Sequence, residues 1–460
     1  MLRSQRWVLP LIYGLSGGIY YWLLFETVRQ DFLTVYGFIL ILFLGYVFVL
    51  VHNSDSSFPL LGSSLKPPAV SSFWLHPHTL IVIGLGFRLL AVGALPQLSD
   101  DYFRFIWDGR LLAQGINPFL KVPSAYISDP ELANTLGLTQ SLYDGLNSKN
   151  YFTIYPPILQ GIFTLGAWIF PHHVMGHIWL MKAFVFLSEG ISLWILFRLL
   201  KKLALPLSWI GLYALNPLAI IELCGNLHFE ALMIMGLLWA IWEFRCNRWL
   251  RASIPFAIAV GSKLLPIMLL PLLIKRLGWG KAIVFGLMVG LMTGLMFLPI
   301  MDWQTFLHLS ESVGLYFQSF EFNASIYYLV RWAGFQLTGY NIIQSAGPVL
   351  AIFTILGIGL FAWKERTDQL SRSMMWVFLI YFSFASIVHP WYSLTLVALC
   401  VCTPYRFPIV WTMLIPLSYA TYRTTDYIEP LWLVGIEYCL LAVVIGWELW
   451  QRRLNREQDV

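Results

Sequence analysis

Apolar runs of about 20 residues, the length at which a helix crosses the hydrocarbon of a bilayer, recur along this 460-residue chain with no polar domain between them. Charged residues make up 12% of the sequence, against roughly 25% in a soluble domain. Too little polar surface remains to cover a water-soluble globule. The fold class is therefore all-α, a polytopic integral membrane protein, and soluble or peripheral readings are excluded. The net charge of +5 is no nucleic-acid signal, because Lys and Arg sit in short clusters between the apolar runs, where membrane proteins keep them. Cys224, Cys246, Cys400, Cys402 and Cys439 are scattered and suggest neither a disulfide framework nor a zinc site. The basic and then apolar start lacks a small-residue cleavage site and reads as a retained first span.

Good span candidates are 7–25, 33–51, 79–95, 177–200, 207–224, 228–244, 282–299, 349–363, 373–388 and 431–450. Shorter or Pro-broken runs lie at 154–170, 252–274, 392–402 and 407–420. The positive-inside rule orients them. Arg3, Arg6, Lys66, Lys201, Lys202, Arg245, Arg248, Arg251, Lys275, Arg276, Lys281, Lys364, Arg366, Arg372, Arg452, Arg453 and Arg456 all fall on the cytoplasmic side in one assignment. In it, 154–170 lies along or dips into the membrane and 252–274 enters and returns. The count is then about 11–14 transmembrane helices in a single membrane domain. The same assignment puts 97–155 (a first large loop), 224–230, 300–341 (a second loop), 389–392 and 421–430 outside the cytoplasm. Most polar oddities of the chain fall in those segments, which makes them the best place to seek a site.

Residues 97–126 read QLSDDYFRFIWDGRLLAQGINPFLKVPSAY. Ser99 or Asp100 suits an N-cap, helical character runs from Asp101 to Gln114, and Gly115 with Asn117-Pro118 stops it. Asp101, Arg104 and Asp108 share one face at i, i+3 and i+7. Tyr102, Phe105, Ile106 and Trp107 cover much of the rest, as in a helix lying at the interface with its apolar side in lipid. Two readings stand. Either Asp100 or Asp101 is a general base at the membrane surface with Arg104 near for an anionic group, or Asp100 caps the helix while Asp101 and Asp108 pair with Arg104.

The string SDDYFRFIWDGR…GINPF after an early span resembles the first-loop signature of the GT-C superfamily of glycosyltransferases, closest to mannosyltransferase-like bacterial members that use polyprenyl-phosphate sugars. YPP at 155–157, NPLAIIELCGNLHFE at 216–230, GSKLLPIMLLPLL at 261–273, FNASIYYLVRW at 322–332 and HPWYSL at 389–394 follow in order. Two apparent spans precede the loop where the superfamily usually has one, a departure that bears on the subfamily. The resemblance implies transfer of a hexose, mannose favoured, from a polyprenyl-phosphate donor to a glycan or lipid acceptor hydroxyl, outside the cytoplasm and with inversion. It also implies a plasma or inner membrane location among membrane lipids. Inversion needs one carboxylate to take the acceptor proton, and Asp100 matches the first acid of the family motif, with Asp101 beside it. A phosphate leaving group needs cationic or hydrogen-bonding support rather than a protein acid. No cofactor is otherwise implied, although an acidic pair could hold a divalent metal.

Lys263 sits between Gly261 and Pro266 in the run 252–274. A Lys at membrane depth costs ~2.5–3.5 kcal/mol and marks function by default, here contact with donor phosphate; the plainer reading is snorkelling or a pair with Glu243. His389 could bond phosphate or sugar with Trp391 and Tyr392 beside it, or HPWY is an interfacial turn with belt aromatics. Asn226, His228 and Glu230 cluster at a short outer turn, where side chains at i, i+2 do not share a helix face, so turn chemistry competes with a substrate-lining role. Tyr155 and Arg331 are further lining candidates; Tyr151 and Trp332 read as packing. No Walker A or GxGxxG motif appears, which argues against a cytoplasmic nucleotide-sugar lobe.

A transporter or flippase for a polyprenyl-linked glycan is the competing class, since broken helices and an intramembrane Lys also suit transport. It predicts an internal repeat and polar groups at the midplane, and the sequence shows neither. A structural subunit would leave Lys263 and the acidic helix unexplained. Sidedness is directly measurable. A membrane-impermeant thiol label applied to intact cells is expected to modify a cysteine introduced in 97–155, and modification only after the membranes are opened would put Asp100 in the cytosol and end the extracytoplasmic reading.

Overall fold

The computed structural model describes residues 5–53, 73–365 and 369–458, and these are helical, with one isolated parallel bridge, Phe322 to Ile387, and no strand among them. Arg3, Lys66 and Arg366, used above for orientation, lie outside the described residues. Among the described residues six helices are long and apolar enough to cross a membrane: Trp7–Glu26, Phe32–His52, Val174–Lys202, Trp279–Phe297, Ile343–Lys364 and Leu431–Leu454. The pair Leu207–Ala214 and Pro217–Gly225, bent by 52°, passes the same test taken together and is either a broken span or a re-entrant loop. The all-α, multi-pass architecture is thus present.

The number of full-length spans is smaller than the 11–14 read from the apolar runs, because several runs are cut into pieces. The run 252–274, read from the sequence as entering and returning and so not counted as a crossing, is divided into Ser253–Ser262, a 3₁₀ turn at Leu265–Leu269 and Leu270–Leu277. Its break falls at Lys263, whose backbone is extended (φ −157°, ψ 129°), just before Pro266. Pro217 cuts 207–224, and Asn216 before it accepts a bond from the Ala219 amide, taking up a donor that the break frees. Residues 392–420 divide into Ser393–Cys400, Phe407–Leu414 and a 3₁₀ segment, Ile415–Arg423. Proline removes an amide and clashes with the preceding turn. Such breaks survive at membrane depth where protein groups satisfy the freed backbone. Pro157–Ile169 has 13 residues, about 20 Å of helix at 1.5 Å per residue, too short to cross.

The loop helix, Asp101–Ala113, lies within one residue of its sequence limits and ends at Gly115 in the left-handed region (φ +74°), where glycine has no Cβ penalty. It differs from expectation in its surroundings. Tyr102, Phe105, Ile106 and Trp107 are buried by protein rather than turned to lipid, because the helix packs along Pro157–Ile169. Gly109 permits the approach: a Cβ there would stand 2.3 Å from the Phe163 carbonyl oxygen.

Two buried side chains anchor the strand of chain that enters this helix. Lys182 on Val174–Lys202 donates to the carbonyls of Ala91 (3.0 Å), Ala94 (2.6 Å) and Gly225 (2.7 Å). Asn226 accepts from the amides of Gln97 (3.1 Å) and Leu98 (3.0 Å) and donates to Glu222 (3.0 Å). The end of Pro77–Val92 and the turn after Pro217–Gly225 are thereby held together directly ahead of Asp100. Replacing Gly109 by Ala should cost about 1–3 kcal/mol through overpacking. It would appear as a lowered melting temperature in detergent, and unchanged melting would contradict the close contact with Phe163.

Candidate active site

Asp100 stands at the start of the loop helix, yet its side chain does not cap it. It instead accepts from Arg29, whose Nη1 lies 2.8 Å from Oδ2. Arg29 belongs to the short turn between the first two spans, and its other arm donates to the Tyr427 hydroxyl at 3.2 Å while its carbon sits 5.4 Å from the centre of the Tyr422 ring. Asp101 accepts from Asn147 Nδ2 at 3.0 Å, and its amide donates to Ser99 Oγ at 3.3 Å. Burial pushes the Asp101 carboxyl above the ordinary aspartate value. His228 and the Asn147 bond oppose the rise, and the charges of Glu230 and Asp100 add to it.

Those neighbours lead to Lys263. Glu230, first residue of Glu230–Arg245, is ion-paired with the Lys263 ammonium, which also stands 3.8 Å above the centre of the Tyr392 ring. Glu243 is paired with Arg248 (3.8 Å), so the simple alternative for Lys263 is not taken. Three rings form a stack beside this pair: His228 on Trp391 at 3.6 Å, and Trp391 on His389 at 4.4 Å, nearly parallel. His228 Nε2 lies 3.0 Å from Glu222. Enclosure, His228 and Lys263 together push His389 down to about 3, leaving a neutral imidazole able to donate one hydrogen bond and accept another. Trp391 is buried between the two imidazoles, and Tyr392 is the more open of the neighbouring aromatics.

The remaining sequence candidates fall outside this cluster or serve as scaffold. Arg104 is buried, with Nε 2.7 Å from Asp108 and Nη1 donating to the carbonyls of Ser148 (3.1 Å) and Tyr151 (2.9 Å). It ties the loop helix to the chain after it, and Asp101 stands apart from that pair. Thr153 and Gln160 complete the contacts of Asp108. Asn226 pins backbone, as described above. Tyr155 packs edge-on against Phe105 at 4.9 Å. Arg331 pairs with Glu321 and lies 4.6 Å over Tyr328. This second cluster touches the first through Phe322, bridged to Ile387 and 4.8 Å from the His389 ring. Among the described residues no group of three or more His, Cys, Asp or Glu side chains is arranged to hold a metal ion.

Arg29, Asn147, Tyr422 and Tyr427 were not singled out from the sequence. Arg29 did carry a signal: it is a basic residue on a turn that the charge rule assigns to the side where Lys and Arg are scarce. The others are ordinary polar or aromatic residues whose partners lie far away along the chain.

Residues 89–277 match a family model described as "Alpha-(1->6)-mannopyranosyltransferase, N-terminal domain". The match covers less than half of the chain but includes Asp100, Asp101, His228, Glu230 and Lys263, and it leaves out Arg29 and His389. No curated protein matches the chain, and no solved structure does. The match agrees with the mannosyltransferase resemblance carried by the loop string, implies a sugar donor and a glycan acceptor, and sets the transport reading aside. The chain is accordingly a multi-pass membrane glycosyltransferase whose residues 89–277 are similar to an alpha-(1->6)-mannopyranosyltransferase domain, a match that supports mannosyltransferase activity.

Proposed function

We propose that the protein moves mannose from a polyprenyl-phosphate donor to an acceptor hydroxyl on the extracytoplasmic side, with inversion at the anomeric carbon. A carboxylate of the Asp100–Asp101 pair takes the acceptor proton as the acceptor oxygen attacks that carbon. The bond from the carbon to the phosphate oxygen breaks, and polyprenyl phosphate leaves with the electron pair. No protein acid is needed for such a leaving group, only preorganised positive charge and hydrogen-bond donors. Lys263 supplies the charge and His389 a neutral donor. Arg104, held by Asp108 and loop carbonyls, takes no part in phosphate binding in this reading.

One observation carries the proposal. The acidic pair and the Lys at a helix break are joined by packing: Asn226 holds the amides of Gln97 and Leu98 just ahead of Asp100, Phe229, between His228 and Glu230, packs on Phe105 of the loop helix at 5.5 Å, Glu230 pairs with Lys263, and His228 opens the ring stack that ends at His389. A base and a cation for one substrate must be neighbours in this way. Asp100 keeps 28% of its side chain exposed and Lys263 26%, so both ends of the cluster are accessible. The loops 97–155 and 300–341 form the extracytoplasmic parts of a single membrane domain in this reading, and Tyr392 and the Arg331 cluster flank the acceptor. An ammonium has three donors, so Lys263 can meet a phosphate while Glu230 remains its neighbour.

Asp100→Asn should lower kcat by about 10²–10⁴-fold, the usual contribution of a positioned base, in membranes supplied with polyprenyl-phosphate mannose and an α-(1→6)-linked mannoside, while the protein still inserts. Wild-type turnover in both Asp100→Asn and Asp101→Asn would remove the base. Lys263→Ala should weaken donor binding by about 10-fold or more, as expected on losing a hydrogen bond from a charged group. An unchanged donor affinity would return Lys263 to a purely structural pair with Glu230.

A further inference from the structure

Arg29 lies ahead of the family-matched residues, yet it reaches the first acid of the loop signature. Its guanidinium joins three segments far apart in the chain: the turn between the first two spans, the start of the loop helix, and the turn that carries Tyr422 and Tyr427. The pair is partly exposed, with the Arg29 side chain 19% exposed and that of Asp100 28%. A partly exposed ion pair adds little to stability. As a device for holding a carboxylate it is well made, because a planar guanidinium fixed by a second hydrogen bond and an aromatic neighbour loses little freedom on pairing.

We propose that Arg29 is a positioning residue for transfer: by holding Oδ2 of Asp100 it fixes the carboxylate so that Oδ1 meets the acceptor hydroxyl. This rests on the reading of Asp100 as the base. In that arrangement the hydroxyl proton passes to Oδ1 while the acceptor oxygen attacks the anomeric carbon and the phosphate departs with the bonding pair. The N-terminal helix pair, outside the matched domain, thereby becomes part of the catalytic unit. Arg29 touches neither the donor phosphate nor the migrating sugar, so its effect falls on turnover and not on donor affinity.

The test compares purified full-length wild type, Arg29→Gln, Arg29→Lys, Asp100→Asn and the double variant Arg29→Gln/Asp100→Asn, with polyprenyl-phosphate mannose as donor and an α-(1→6)-linked mannobiose as acceptor. Misplacing a reacting group by about 1 Å costs about 100-fold in rate, and a kcat loss of that order is expected for Arg29→Gln. The donor KM and the melting temperature should stay as in wild type. Arg29→Lys should recover part of the loss, and the double variant should be no slower than Asp100→Asn alone. Wild-type kcat in Arg29→Gln beside an inactive Asp100→Asn would overturn the inference and leave the base reading standing. An active Asp100→Asn would pass the role of base to Asp101 and overturn the positioning role of Arg29, while leaving a base in the acidic pair. A loss in Arg29→Gln that appears as raised donor KM would make Arg29 a donor ligand instead. A loss that tracks a lowered melting temperature, shared by Arg29→Lys, would make it structural; either result overturns the proposal.

Discussion

Inside a bilayer a freed amide or carbonyl finds no water, so every interruption of a helix must be answered by another part of the protein. This constraint organises the molecule. The break at Pro217 is met by Asn216, which accepts from the Ala219 amide and donates to Thr412. The carbonyls at the end of Pro77–Val92 and at Gly225 are collected by the Lys182 ammonium. Asn226 receives the amides of Gln97 and Leu98. Each answer brings a polar side chain into the interior and ties two segments together. The Asn226 tie lies directly ahead of Asp100, and Lys263 itself stands at a break.

Charge pairing then separates scaffold from candidate chemistry. Arg88 and Glu189 are wholly enclosed, 2.8 Å apart, with Tyr213 and the carbonyls of Gly84 and Ala214 completing their bonds. Arg104 and Asp108 are similarly closed. Breaking pairs of this kind leaves an uncompensated buried charge and is strongly destabilising. The pairs Arg29–Asp100 and Lys263–Glu230 keep one or both partners partly open. An accessible charge that a substrate can address sits beside one that it cannot, and the proposed chemistry uses the accessible set.

The loop helix illustrates what local rules reach. Its limits, its end at Gly115 and the i, i+4 pairing of Arg104 with Asp108 follow from helix-stop signals and helical spacing alone, although the Asp100 side chain does not cap the start. Its lipid-facing side does not: an amphipathic pattern states which face is apolar, not whether lipid or protein covers it. Gly109 and Phe163, 54 positions apart, supply that answer through a backbone approach invisible to periodicity. Apolar runs likewise overstate the number of full spans, because hydropathy does not register where a helix is cut, as in the division of 392–420 into short pieces.

Composition and run length by themselves determined that this chain is helical and lives in a membrane, since hydrophobic transfer energy is additive over residues and needs no partner. Motif order also pointed to sugar transfer and to the acidic pair. Tertiary structure alone decided which charges meet. Arg29 reaches Asp100 across 71 positions and Tyr427 across 398, and Lys263 reaches Glu230 across 33. Electrostatic pairing depends on distance in space, and only the folded chain sets that distance.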